Sequence, residues 1–179
     1  TVYDPANPYP EYASYYYALS AERLGYASVA KDMLLQIKKL YPTWDQMNEV
    51  NYWLCKIYFE RREYFQGLLI ASQITDPSFQ SGLSELKRVY LANIDDIETL
   101  KMILEDYTQD KEAARALVKL LGKQPVHLQE TELIDSLLTK FDLPREQLIT
   151  NEVPKPILKE TYRVALVMPF LAASLDPSP

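Results

Sequence analysis

The amino-acid sequence predicts an all-α fold, a solenoid of about four helical hairpins followed by a C-terminal linker and the stub of a strand. Three observations predict it. Only 4 of 179 residues are glycine, which leaves few tight primed turns for an all-β fold. Leu, Ala, Lys and Glu dominate most segments, and apolar residues recur at helical spacing. Finally, a helix–turn–helix plan returns at intervals of roughly 30–40 residues, the period of stacked helix pairs.

Each element has its own signal. Pro5, Pro8 and Pro10 keep the first ten residues extended. From Glu11 the pattern turns helical, with Ala13, Tyr16, Tyr17 and Leu24 near helical spacing until Gly25 breaks the run. A second helix fits Ser28 to Leu40, with Ala30, Met33, Leu34 and Ile37 on one face, and Tyr41-Pro42 closes it. The plan then repeats. Glu49–Glu60 carries the stripe Val50, Trp53, Leu54, Ile57 and Tyr58, Arg61–Arg62 forms the turn, and Tyr64–Ile74 is the partner helix, closed by Asp76-Pro77. Two looser pairs follow. Gly82–Leu91 pairs with Ile94–Tyr107, and Lys111–Leu121 pairs with Thr131–Phe141 across Gly122 and Pro125.

These pairs make residues 1–142 a helical repeat domain. Residues 143–161, with Pro144, Pro154 and Pro156, read as a linker with one short helix. Residues 162–179 open on Tyr162–Met168, a near-continuous apolar run that suits a buried strand of a parallel sheet. One strand makes no sheet, so this segment is the start of a second domain or a tail that caps the solenoid.

Charge narrows the function classes. The net charge is −6. Residues 1–90 hold 9 basic and 10 acidic side chains and residues 91–179 hold 10 and 15, so the acidity lies in the second half. Such a surface lacks the basic footprint of a nucleic-acid binder. No stretch approaches the ~20 apolar residues of a membrane span. The chain begins at Thr1 without a charged-then-apolar leader, as expected of a processed protein or an excised fragment.

The residues for catalysis are sparse. Cys55 and His127 are the sole cysteine and histidine. Cys55 falls where a helix pair needs a small buried residue, and His127 lies in a connection beside Pro125. One of each cannot supply a zinc set, and four scattered glycines make no phosphate loop. Asp95-Asp96 fits a helix cap before Ile97 better than a pair of catalytic carboxylates. The expectation is no enzyme, no catalytic or metal site and no cofactor.

The first two pairs resemble the tetratricopeptide repeat, whose pattern is W-x₂-L-G-x₂-Y, then A-x₃-F, then P. Ser14, Tyr17, Ala18, Ala21, Ala30, Leu34 and Pro42 occupy the pattern positions in the first unit. Asn51, Leu54, Cys55, Tyr58, Gly67 and Ala71 occupy them in the second, with Pro77 two residues early. The match covers about 65 residues and fades over Ser81–Phe141. Trp and Gly are replaced at key positions, so the units are tetratricopeptide-like. The resemblance implies that small residues at Ala18, Ala30, Cys55 and Gly67 bring paired helices close, while Tyr17, Leu54 and Tyr58 fill the space between units. It also implies that the first helix of each unit lines a concave face, which makes Tyr12, Tyr15, Leu19 and Glu22, with Glu49, Tyr52, Lys56 and Phe59, the candidate partner-binding stripe. Their spacing of three, four and three keeps each set on one face.

The tail KETYRVALVMPFLAAS resembles the opening strand of a type 1 periplasmic substrate-binding domain. A helical repeat before such a domain is similar to the outer-membrane lipoproteins that activate cell-wall synthases, and to amino-acid-binding envelope proteins of bacteria. The combined expectation is a non-catalytic protein–protein interaction scaffold, the N-terminal module of a larger protein of the periplasm or cell envelope. Its partner is a protein, a peptide or the chain's own downstream domain, and a homo-oligomer is compatible with it. The alternative is a cytoplasmic tetratricopeptide-type adaptor for peptide segments.

Overall fold

The computed structural model describes residues 7–149. The predicted strand at Tyr162–Met168 and most of the predicted linker lie outside the described residues. Within them the chain is all-α, with nine α-helices and no strand.

The first hairpin joins α1 (Pro10–Arg23) to α2 (Ala27–Leu40). Pro10 sits in the first turn of α1, where a missing N–H costs nothing. The second joins α3 (Met47–Glu60) to α4 (Tyr64–Ala71). Both turns are built the same way, bond for bond. In the first, Gly25 N–H donates to the Glu22 carbonyl and Tyr26 N–H to the Ala21 carbonyl. In the second, 37 residues on by sequence number, Arg62 N–H donates to Phe59 and Glu63 N–H to Tyr58. Gly25 and Arg62 both adopt positive φ, 83° and 61°. The turns of the two hairpins thus share one backbone geometry.

The second half comprises α5 (Gln80–Leu91), α6 (Ile97–Asp106), α7 (Lys111–Gly122), α8 (Thr131–Phe141) and the short α9 (Arg145–Leu148), with 3-10 turns at Pro77–Phe79 and Val126–Leu128. Here α7 packs on α8 as expected, while α5 and α6 depart from their expected pairing. α5 and α6 each pack closely on α7 and less closely on one another, and α8 and α9 also pack on α7. The cause is the composition of α7. Ala113, Ala114 and Ala116 are buried beside Leu117, Val118 and Leu121, and side chains that end at Cβ let several backbones approach one helix. α6 also starts later than the apolar pattern implies. The Asp96 carboxylate accepts a hydrogen bond from Thr99 N–H at 2.9 Å, which caps the helix at Ile97 and leaves Ile94 buried in the connection. Its carboxyl is held below the usual range by the Thr99 hydroxyl and then by that backbone N–H.

Leu143 and Ile149 are buried, and Ile149 lies against Gly122, where an added Cβ would come within 3.1 Å of its side chain. One core therefore runs from Tyr15 through Val50, Leu54, Leu68, Leu100 and Leu117 to Ile149.

Two polar ties align successive elements. The Lys38 ammonium on α2 donates to Asn51 Oδ1 at 2.7 Å and to the Gln73 side chain. Lys87 on α5 donates to the Asp110 carboxylate at 2.6 Å, while the same carboxylate caps α7 through the N–H groups of Glu112 and Ala113.

Arg62 offers a direct check on the repeated turn. A left-handed conformation costs a residue with a Cβ roughly 1–2 kcal/mol, and glycine gives part of that back in chain entropy. Arg62→Gly is therefore expected to stabilise the protein by about 1 kcal/mol in chemical denaturation, whereas Gly25→Ala is expected to destabilise it by a similar amount. A loss of stability in Arg62→Gly contradicts this assignment of the turn.

Candidate partner-binding face

The expected stripe draws on α1 and α3, which the 37-residue register places in equivalent positions. The structure brings two pairs of its members together. Lys56 Nζ donates to Glu22 Oε1 at 2.5 Å, joining α1 to α3, and it also meets Glu60 at 2.7 Å, one turn along its own helix. The Lys56 ammonium lies 5.4 Å from the centre of the Trp53 ring. Burial alone would lower its pKa, but the Glu22 and Glu60 carboxylates outweigh that and hold it above the ordinary lysine value. The second pair is Tyr15 and Glu49. Tyr15 Oη is buried and makes no hydrogen bond of good geometry, yet it lies close enough to the Glu49 carboxylate to respond to its charge. Burial first, and Glu49 second, push the phenol well above its ordinary range.

The stripe divides by exposure. Tyr12 is 40% exposed and meets Trp44 edge-on, ring centres 5.1 Å apart. Leu19, Glu22, Glu49, Tyr52 and Lys56 are half-buried. Tyr52 tilts against Phe79 at 5.8 Å and reaches towards Gly82, so it also ties α3 to the start of α5.

Tyr15 and Phe59 do not belong on an open face. Tyr15 is only 4% exposed, enclosed with Trp44 at 5.6 Å and Tyr16 at 5.6 Å. Phe59 is 1% exposed and stacks on Tyr90 at 5.9 Å and 15°. The physical reason lies at Gly67. With no side chain on α4 at that point, the Phe59 ring fills the space and would stand 2.8 Å from an added Cβ. The small residues expected between paired helices (Ala18, Ala30, Cys55 and Gly67) are all buried. Tyr17, expected to fill the space between units, is instead exposed.

Sequence reasoning missed Trp44 and Trp53. Trp44 lies in the connection after α2, and both Tyr12 and Tyr15 rest on it. Trp53 counted as part of the core stripe, but it is half-buried beneath Lys56. Its position four residues after Glu49 was the available signal.

The other candidate chemistry resolves more simply. Cys55 is fully buried, and burial pushes its thiol up to about 12. His127 is exposed in the turn between α7 and α8. Among the described residues, no group of three or more His, Cys, Asp or Glu side chains is gathered as a metal site, and no helix is long and apolar enough to cross a membrane. Comparison of the chain with protein-family models, with curated proteins and with solved structures returns no match.

The raised thiol has a measurable consequence. In the folded chain Cys55 stays uncharged up to about 12, while in the unfolded chain it ionises near its ordinary value of 9.0. The contribution is intact below pH 9.0 and declines as pH rises towards the folded value, by up to about 1.4 kcal/mol per pH unit. In denaturant titrations across that window, Cys55→Ala should show a shallower alkaline decline than the parent chain. Parallel declines would contradict a protonated, enclosed thiol.

Proposed function

We propose that this chain is a non-catalytic scaffold of tetratricopeptide-like hairpins, arranged as a solenoid, whose first two units hold a protein or peptide partner. The observation that carries the reading is the shared register of α1 and α3. Helices 37 residues apart share the same turn hydrogen bonds, and Glu22 of the first meets Lys56 of the second. Tyr12 and Leu19 on α1 and Tyr52 and Trp53 on α3 supply the aromatic and apolar part of the proposed face. Half-exposed aromatic rings next to charges are the composition of protein interfaces. Two of the eight stripe residues, Tyr15 and Phe59, act from behind it by fixing Trp44 and Tyr90.

Placement in the bacterial periplasm or envelope, ahead of a periplasmic-binding-like domain, rests on the sequence of the tail from Lys159 onward alone. An α/β domain encoded after Met168 in the full-length gene, with a secretory or lipoprotein signal upstream, would support it. A stop codon directly after Pro179 would contradict it.

Selection from a random-peptide display library tests the binding face. Peptides enriched on the immobilised chain are expected to lose at least about tenfold in affinity on Tyr12→Ala or Tyr52→Ala, the loss typical of a contact worth more than 1 kcal/mol, with helix content by circular dichroism unchanged. Enriched peptides that bind both variants as well as the parent would reject this face.

A further inference from the structure

One acid of the proposed face meets no cation among the described residues. Glu49 is half-buried in the first turn of α3, where the helix dipole favours its charged form. Of the other half-buried carboxylates, Glu22, Glu63, Asp110 and Glu112 each meet a lysine or arginine, and Asp76 caps its own 3-10 turn. Glu11 and Glu49 do neither, and Tyr15 sets Glu49 apart. The Tyr15 side chain is 4% exposed, and its hydroxyl has no hydrogen-bond partner among the described residues. It stands close enough to Glu49 for the carboxylate to act on it, with the Trp53 indole beside the same atom. A buried hydroxyl thus backs the carboxylate from within, while part of the Glu49 side chain faces solvent.

We propose that Glu49 receives a lysine or arginine side chain of the bound peptide. The inference rests on the peptide-binding function proposed for this face and names the partner's chemistry. Charge selects the occupant. Lys56 is the one cation of the eight stripe residues, and it is already held by Glu22 at 2.5 Å and Glu60 at 2.7 Å. An anionic side chain finds no free cation on the stripe, whereas a cationic one finds a carboxylate without a partner. Asp45, exposed in the turn that enters α3, adds negative charge at the same end. The rings suit a cation as well. An ammonium is attracted to the face of an aromatic ring, and Trp53, one turn along from Glu49, already takes Lys56 Nζ at 5.4 Å. Carboxylate and indole together are therefore how this molecule holds an ammonium of its own. Tyr15 meets Trp44 at 5.6 Å and Trp44 meets Tyr12 at 5.1 Å, so two further rings adjoin the site on the α1 side.

The display selection tests it with one further variant. Enriched peptides are expected to share a lysine or arginine, and changing that residue to glutamine should weaken binding at least about tenfold. Glu49→Gln in the full chain should weaken the same peptides by a similar factor, and the two changes together by little more than either alone. Added salt should weaken the parent complex more than the Glu49→Gln complex. Peptides that share no basic residue, or that bind Glu49→Gln as tightly as the parent, overturn the proposal. If such peptides still lose affinity on Tyr12→Ala or Tyr52→Ala, the face stands and only its cation site falls. If they are indifferent to all three variants, or if no peptide is enriched, the face falls as well. A Glu49→Gln chain that loses stability in denaturant while keeping its peptides assigns the carboxylate to a cation of the chain itself, and this too overturns the proposal.

Discussion

The fold depends on how closely its helices can approach, and that is set by a few positions with little or no side chain. Ala18 and Ala30 lie between α1 and α2, Cys55 and Gly67 serve α3 and α4, and Ala113, Ala114 and Ala116 serve α7. Close approach at these points leaves no room for larger groups, so the bulky residues are displaced to defined places beside them. Phe59 is the clearest case. Gly67 opens the space, the ring enters it, and Tyr90 of α5 closes it from the other side. A single missing side chain on α4 thereby couples three helices. Interiors at crystal-like density transmit such choices because they have few voids to absorb them.

Polar contacts then fix the register that packing alone would leave loose. Glu22–Lys56 joins α1 to α3, the Tyr90 hydroxyl meets Glu60 at 3.2 Å between α5 and α3, Lys87–Asp110 joins α5 to α7, and Lys101–Glu130 joins α6 to the start of α8. Partly exposed ion pairs contribute little stability individually. Their directional demand is what counts, because each one fits a single alignment of its two helices. Lys56 also meets Glu60 on its own helix and Asp110 also caps its own, so each cross-helix contact is made by a side chain already held in place.

The sequence reveals the first two hairpins more fully than the second two, and the difference is physical. Apolar residues at helical spacing, the glycine at 25 and the prolines at 42 and 77 mark α1 to α4 within a few residues. Downstream, the same periodicity correctly locates α7 and α8 but says nothing about which neighbour each helix prefers. The alanine cluster at 113, 114 and 116 was the available clue to a shared hub, and a pairwise repeat plan hides it. The binding stripe was half legible for a related reason. Spacing identifies which residues share a helix face, so Glu22 falls with Tyr12, Tyr15 and Leu19, and Lys56 with Glu49, Tyr52 and Phe59. It does not give the depth of each residue on that face, which is decided by partners distant in sequence. Trp44 encloses Tyr15 from a loop, and Gly67 draws in Phe59 from the next helix.

The central claim, that the absent side chain at Gly67 positions Phe59, is tested most directly by a double-mutant cycle between the two. Stability would be measured by chemical denaturation for Gly67→Ala, Phe59→Leu and the pair. An added methyl 2.8 Å from the ring should make Gly67→Ala destabilising by about 1–3 kcal/mol, despite alanine's better helix propensity. In the Phe59→Leu background most of that loss should vanish, giving a coupling of at least about 1 kcal/mol. A Gly67→Ala penalty of the same size in both backgrounds, or none in the parent chain, would contradict the account.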